Sequence, residues 1–228
     1  MLIPATPLQK IMARVQAAEI AVGRLVGSTT LLVVTKNQPI NKMQQLVAAG
    51  HYQFAENYVQ EALDKINLLQ DLPIEWHYIG RIQSNKTRAI AENFSWVHSI
   101  ERLSIAQRLS AQRSANLLPL NVCIQLNVSN EPSKGGITSA QLLSLAKSIQ
   151  VLPNIQLRGL MALPALTENP VQQRQVFAQM QQHFRDLQQA GIMIDTLSMG
   201  TSADFEQAIS CGATIVRIGR AFFNRLCT

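Results

Sequence analysis

Eight short apolar runs, each followed by a stretch of helical periodicity, predict a (β/α)8 TIM barrel with one extra helix in front of it. Two further observations point the same way. A chain of 228 residues suits one barrel of this kind, and no Gly/Ser linker or change of composition divides it, so residues 1–228 read as a single domain. A doubly wound open sheet stays open as an alternative, because strand order is not written in one sequence.

The elements follow in order. Leu8, Ile11, Met12, Val15, Ala18 and Val22 recur at steps of three and four residues, and Gly23 or Gly27 is placed to end that first helix. Strand one is Leu31–Thr35, and its helix Asn41–Ala49 is closed by Gly50. Strand two is Tyr52–Ala55, with a helix beginning near Asn57. Strand three is Ile74–Ile79, followed by the helix Asn85–Glu92. Strand four is Trp96–Ser99, followed by Ile105–Ala115. Strand five is Leu120–Val128, with the helix Ser139–Ile149. Strand six is Ile155–Met161, and Phe177, Met180, Phe184 and Leu187 form one stripe on the helix after it. Strand seven is Asp195–Met199, with the short helix Asp204–Ser210. Strand eight is Thr214–Ile218, and one last helix follows.

Composition excludes several classes. The net charge is +6, yet Lys and Arg are scattered, with no basic run and no aromatic interleaving, so a nucleic-acid partner is not expected. Cys123, Cys211 and Cys227 are an odd set without a CxxC, which argues against a disulfide framework and suits a reducing cytoplasm. His51, His77, His98 and His183 lack ligand spacing, so no metal is expected. No stretch has membrane-spanning length, and the first residues lack the zones of a signal peptide.

Lys36 closes the apolar run Leu31-Leu32-Val33-Val34-Thr35. Alone, it is most simply a surface lysine that ends a strand. The turn Asn37-Gln38-Pro39 after it, however, puts it on the rim where barrel enzymes keep their chemistry. A partly desolvated amine there can form an imine with an aldehyde. The loops after strands seven and eight are the usual phosphate holders in such barrels. Here Gly200 permits close backbone approach, Thr201 and Ser202 offer hydroxyls and amides, and Asp204 suggests a helix cap. Gly219, after Val216-Arg217-Ile218, makes a second amide-rich turn. An amine beside a phosphate cradle is what pyridoxal 5'-phosphate (PLP) requires. Arg217 lies among apolar residues and needs a partner. It is either a structural salt bridge or a cation facing the pyridine nitrogen, where it would disfavour that nitrogen's protonation.

Several segments together carry a family resemblance over nearly the whole chain. They are Val33-Val34-Thr35-Lys36, Ala55-Glu56-Asn57-Tyr58-Val59-Gln60-Glu61 and Trp76-His77-Tyr78-Ile79-Gly80-Arg81-Ile82-Gln83-Ser84-Asn85-Lys86. Further on come Asn127-Val128-Ser129-Asn130-Glu131 with Ser133-Lys134, and Arg158-Gly159-Leu160-Met161-Ala162-Leu163-Pro164. Last are Leu197-Ser198-Met199-Gly200-Thr201-Ser202-Ala203-Asp204-Phe205 and Val216-Arg217-Ile218-Gly219. The chain resembles the pyridoxal phosphate homeostasis proteins, which are similar to the N-terminal barrel of alanine racemase. The resemblance implies a fold-type III PLP protein with the cofactor in Schiff-base linkage to Lys36. It implies that Asn57 touches the cofactor, Met199 lies near the ring, and Arg217 faces the pyridine nitrogen. Ser198, Gly200, Thr201, Ser202 and Gly219 would hold the phosphate. Ala55 stands where the family usually has Gly, and Arg81 where it often has His.

The resemblance implies a role in vitamin B6 balance and in amino- and keto-acid metabolism rather than an established reaction. The residues agree. Racemisation needs a base on each face of the cofactor, and the second base of alanine racemase comes from a further domain that this chain is not expected to have. Tyr52, Tyr58 and Tyr78 all fall early. The expected protein is cytoplasmic, monomeric and non-catalytic, with apo PLP-enzymes as possible acceptors. A racemase-like enzyme is the alternative, and a Schiff-base lyase acting on a phosphorylated sugar is a third.

Overall fold

The computed structural model describes residues 6–128, 135–164, 167 and 169–223. The segment Ser129–Lys134 of the family motif and Cys227 lie outside these residues.

Helix α1 (Pro7–Ala21) opens with a capping box. The Thr6 hydroxyl accepts the Gln9 amide while the Gln9 side chain accepts the Thr6 amide. The barrel then alternates β1 (Thr30–Val34), α2 (Ile40–Ala48), β2 (Gln53–Glu56), α3 (Val59–Leu68) and β3 (Glu75–Tyr78). After a 3-10 turn at Ser84–Lys86 come α4 (Thr87–Asn93), β4 (Trp96–Ile100), α5 (Leu103–Gln112), β5 (Leu120–Gln125) and α6 (Ser139–Ile149). It closes with β6 (Ile155–Met161), α7 (Pro170–Gln189), β7 (Thr196–Ser198), α8 (Phe205–Ser210), β8 (Ile215–Ile218) and α9 (Arg220–Phe223). The eight strands pair in chain order, all parallel, and β8 returns to β1 through Leu32 opposite Arg217 and Val33 opposite Ile218. The sheet is therefore a closed barrel, and the open-sheet alternative is ruled out.

Side chains alternate across each strand, and this splits the core in two. Val33, Phe54, Val97 and Val216 face the helices in the larger cluster. Leu32, Ala55, Ile79, Trp96, Cys123, Met161 and Ile215 fill the lumen, with Val34 above them. The floor of the lumen is polar. Arg158 forks onto Asp195, with its closest oxygen at 2.6 Å, reaches Asn121 at 2.9 Å, and lies 4.9 Å over the Trp96 ring. The Trp96 indole donates to Glu75 at 2.8 Å. This plugged floor leaves the opposite rim, at the carboxyl ends of the strands, as the open end. Among the described residues, no helix is long and apolar enough to cross a membrane.

Candidate functional site

Barrel closure sets β7, β8, β1 and β2 side by side, so residues far apart in sequence share one sector of the rim. Leu32 and Val34 point into the lumen, and the same alternation brings Lys36 to the lumen side of the rim. Lys36 is exposed rather than partly desolvated. Asn57 stands in the equivalent place two residues past the lumen residue Ala55. Its side-chain oxygen is buried and has no hydrogen-bond partner among the described residues. On the other flank, Gly219 lies against β1. A Cβ there would be 3.1 Å from the Val34 carbonyl oxygen and 3.3 Å from the Val34 Cβ.

The backbone around Lys36 is held from beneath by a buried ion cluster. Lys65 of α3 donates to the Thr35 carbonyl at 2.7 Å, to Glu56 at 2.7 Å and to Glu61 at 2.6 Å. Glu61 in turn accepts the Asn37 amide at 2.7 Å, and the Thr35 hydroxyl donates to Glu56 at 2.6 Å. The residues on both sides of Lys36 are thus tied to one cluster, and Asn37 takes the left-handed conformation, φ 58°, that turns the chain over it. Burial raises the Glu56 carboxyl above its ordinary range, and the Lys65 bond opposes that rise. The one local sign of this cluster is a Glu61–Lys65 pair at helical spacing, which usually means a solvated helix face.

The two turns expected to hold a phosphate lie together. Gly200 has φ 93°, and a Cβ there would meet Ala208 Cβ at 2.6 Å, so the chain can pass only as glycine. The Gly200 carbonyl accepts the Arg217 amide at 3.0 Å, and the Ser202 hydroxyl accepts the Ala221 amide at 3.3 Å, which joins the β7 turn to the β8 turn. Several groups of these turns already have partners within the chain. Thr201 spends both its amide (2.5 Å) and its hydroxyl (2.9 Å) on the Asp204 carboxylate, so they do not face outward; Asp204 bonds backward rather than capping α8 with its side chain. Ser198 is a lumen residue by strand alternation, fully buried, and its hydroxyl bonds Arg217 and His98 instead of facing the turns. Met199 points the other way, into the barrel–helix core, so its side chain does not line the mouth.

Arg217 is buried at 3% exposure, and burial brings its pKa down to about 10, still protonated at neutral pH. Its partners are neutral oxygens: Ser198 O and Oγ, each at 2.7 Å, and Ala162 O at 2.7 Å. The salt-bridge alternative for Arg217 therefore fails among the described residues. A cation, a primary amine, an unmet acceptor and two joined glycine turns converge on this sector. They fit a ligand that carries an aldehyde, a hydroxyl and a phosphate.

A family model described as alanine racemase, N-terminal domain, matches residues 8–225. The pyridoxal phosphate homeostasis protein of Pseudomonas aeruginosa is 51% identical over 216 residues, 95% of this chain and 93% of that protein. The chain belongs to the pyridoxal phosphate homeostasis protein family. The homologue of this family from Escherichia coli K12 is 48% identical over 219 residues, covering 95% of this chain and 94% of that one. Among solved structures, PipY of Synechococcus elongatus with PLP bound is 34% identical, with a TM-score of 0.82, over 94% of this chain and 100% of that chain. Alanine racemase of Clostridium difficile matches with a TM-score of 0.77 at 13% identity, over 97% of this chain and 57% of that chain, which is a likeness of fold. The two residues of this member singled out above, Ala55 and Arg81, lie apart. Ala55 is fully buried in the lumen, whereas Arg81 is an exposed rim residue.

Three histidines of this family member are buried neutral. Burial lowers His51 and His77 below 6.5 and takes His98 well below it. In the unfolded chain each takes up a proton near pH 6.5, so below that pH the unfolded state binds more protons than the native one. Stability is therefore full above about pH 6.5 and falls as the pH drops toward the folded-state values. Urea midpoints measured from pH 8 to pH 5 should decline below about 6.5, and less steeply in His98→Asn. A flat profile would show that the histidines are protonated in the fold.

Proposed function

We propose that this chain binds PLP as a Schiff base on Lys36 and serves PLP homeostasis, and with it amino- and keto-acid balance, without catalytic turnover. One observation carries the reading. Barrel closure sets the Lys36 rim against the Gly219 turn, where a Cβ would crowd the Val34 carbonyl. Asn57 supplies an unmet acceptor for a ligand hydroxyl. The backbone amides around Ser202 and Gly219 are the phosphate donors in this reading, and Arg217 faces the pyridine nitrogen. Gly200 and Thr201 shape the turn, the latter through its bonds to Asp204. The names of the relatives and the PLP-bound PipY structure support it.

When bound, PLP supplies an electron sink for bonds at an α-carbon. Two features speak against turnover here. The Tyr78 hydroxyl donates to the Arg81 carbonyl at 3.1 Å, and burial pushes its pKa to about 12, which disqualifies it as a base at neutral pH. Lys36 is exposed, so water reaches the site that catalysis would have to keep dry. The protein is in this reading one cytoplasmic, monomeric barrel domain over residues 1–228, passing PLP to apo PLP-enzymes.

Adding PLP to the purified protein should produce a visible imine band. Mixing the loaded protein with an apo PLP-enzyme should restore that enzyme's activity. Amino acids incubated with it in D2O should gain no α-deuterium beyond the rate with free PLP. A colourless protein refutes the reading, and rapid deuterium uptake makes the chain a racemase-like enzyme.

A further inference from the structure

A line of buried side chains runs through the lumen from the floor to Arg217. His77 Nδ1 lies 2.9 Å from His98 Nε2, His98 Nδ1 lies 2.9 Å from Ser198 Oγ, and Ser198 Oγ lies 2.7 Å from Arg217 Nη1. All four residues are at most 3% exposed. At the floor end, His77 Nε2 stands 3.6 Å from Glu75 Oε2, beyond hydrogen-bond reach, and has no partner within it. The His77 ring is stacked on Trp96, centroids 5.4 Å apart and planes 9° apart, which favours this orientation of the ring.

The chemistry of these groups favours one direction for the protons, because the reverse would leave the Ser198 proton without an acceptor among the described residues and turn a bare His77 Nε2 toward Glu75. A guanidinium only donates, so Ser198 Oγ accepts from Arg217. The serine's own proton then has His98 Nδ1 as its acceptor. In this direction that nitrogen is bare, and the proton of a neutral His98 is on Nε2. His98 Nε2–H donates to His77 Nδ1, and the proton of a neutral His77 is again on Nε2, aimed at Glu75.

We propose that His98 and His77 are positioning residues. They form a one-way hydrogen-bond relay that fixes the Ser198 hydroxyl as an acceptor and so clamps the Arg217 guanidinium toward the mouth. The role toward the ligand rests on the PLP reading above; the direction of the relay does not. Arg217 uses three of its N–H groups on Ser198 and Ala162, which holds its plane. Without an acceptor at His98, the Ser198 hydroxyl proton would lose its partner, and the hydroxyl would be free to rotate its lone pairs away from Arg217. Arg217 would lose one of its anchors and the cation would tilt away from its ligand.

Two experiments test this. In the cofactor-free protein at pH 7.5, nitrogen-15 NMR of labelled histidine should show His77 and His98 neutral with the proton on Nε2. A proton on Nδ1 of His98, or a cationic His98, overturns the relay. In the loaded protein, His98→Asn keeps an acceptor near the Nδ1 position, whereas His98→Leu removes it and His98→Gln moves it to the Nε2 position. His98→Leu and His98→Gln should each weaken PLP affinity about tenfold and shift the maximum of the visible band, while His98→Asn stays within about twofold of wild type. If His98→Leu does not fold, the Asn and Gln pair decides. Equal behaviour of Asn and Gln overturns the proposal, as does a lowered melting temperature with affinity and band unchanged. A wild-type protein that gives no band at all refutes the PLP reading, and the NMR result then still judges the relay.

Discussion

Lys36→Ala is expected to leave a folded protein that stays colourless at every PLP concentration. The side chain is exposed on the rim and makes no hydrogen bond or ion pair among the described residues, so its truncation should change stability by no more than about 0.5 kcal/mol. The visible band, by contrast, needs a primary amine that can reach the aldehyde. The other lysine of the sector, Lys65, cannot stand in. It is buried beneath the loop and bonded to three oxygens, and α3 holds it outside the lumen. Lys36→Arg separates charge from bonding: it keeps the cation and should be equally colourless, because a guanidinium does not form the imine under these conditions. A band retained in Lys36→Ala would move the carbonyl chemistry to another residue.

Much of this architecture was legible because it is periodic. The run Leu31–Val34 ends in a turn, the parity that buries Leu32 and Val34 extends to Lys36, and the glycines at 200 and 219 mark places where backbone must pass close. Strand seven read as Asp195–Met199 is Thr196–Ser198, and strand five stops at Gln125 rather than Val128. Both misreadings carry apolar residues that pack the core from loop positions. Parity carried one residue past β7 could have warned that Ser198 and Met199 face opposite ways. What local pattern could not supply was contact between distant strands. His77 and His98 each occupy a lumen position, yet only barrel closure places His98 against Ser198, 100 residues away. Lys65 was hidden for a different reason, since a helical Glu–Lys pair looks the same whether solvent or a strand's carbonyl lies above it.

That hidden lysine should matter almost as much as Lys36. Lys65→Met should destabilise the protein by about 3–5 kcal/mol, because it leaves Glu56 buried and unpaired. Burial already raises the Glu56 pKa, and loss of the lysine raises it further. Between its ordinary value of 4.5 and that raised value, native Glu56 binds a proton that the unfolded chain has released, so stability falls as the pH climbs through the window. The defect should therefore be worst at neutral pH and partly relieved on acidification. The double variant Lys65→Met with Glu56→Gln should recover part of the loss, since a neutral amide can keep the Thr35 hydroxyl bond. Loss of stability alone would leave the lysine a structural residue. Its second expected effect distinguishes the two cases. Lys65 holds the carbonyl before Lys36 and, through Glu61, the amide after it. With those ties slack, the band in folded Lys65→Met protein should form more slowly and with weaker PLP affinity than in wild type. Glu61→Gln, which can still accept the Asn37 amide, should fall between them. Equal imine formation in all three proteins, measured at a temperature where each is folded, would mean that the rim holds Lys36 without help from below.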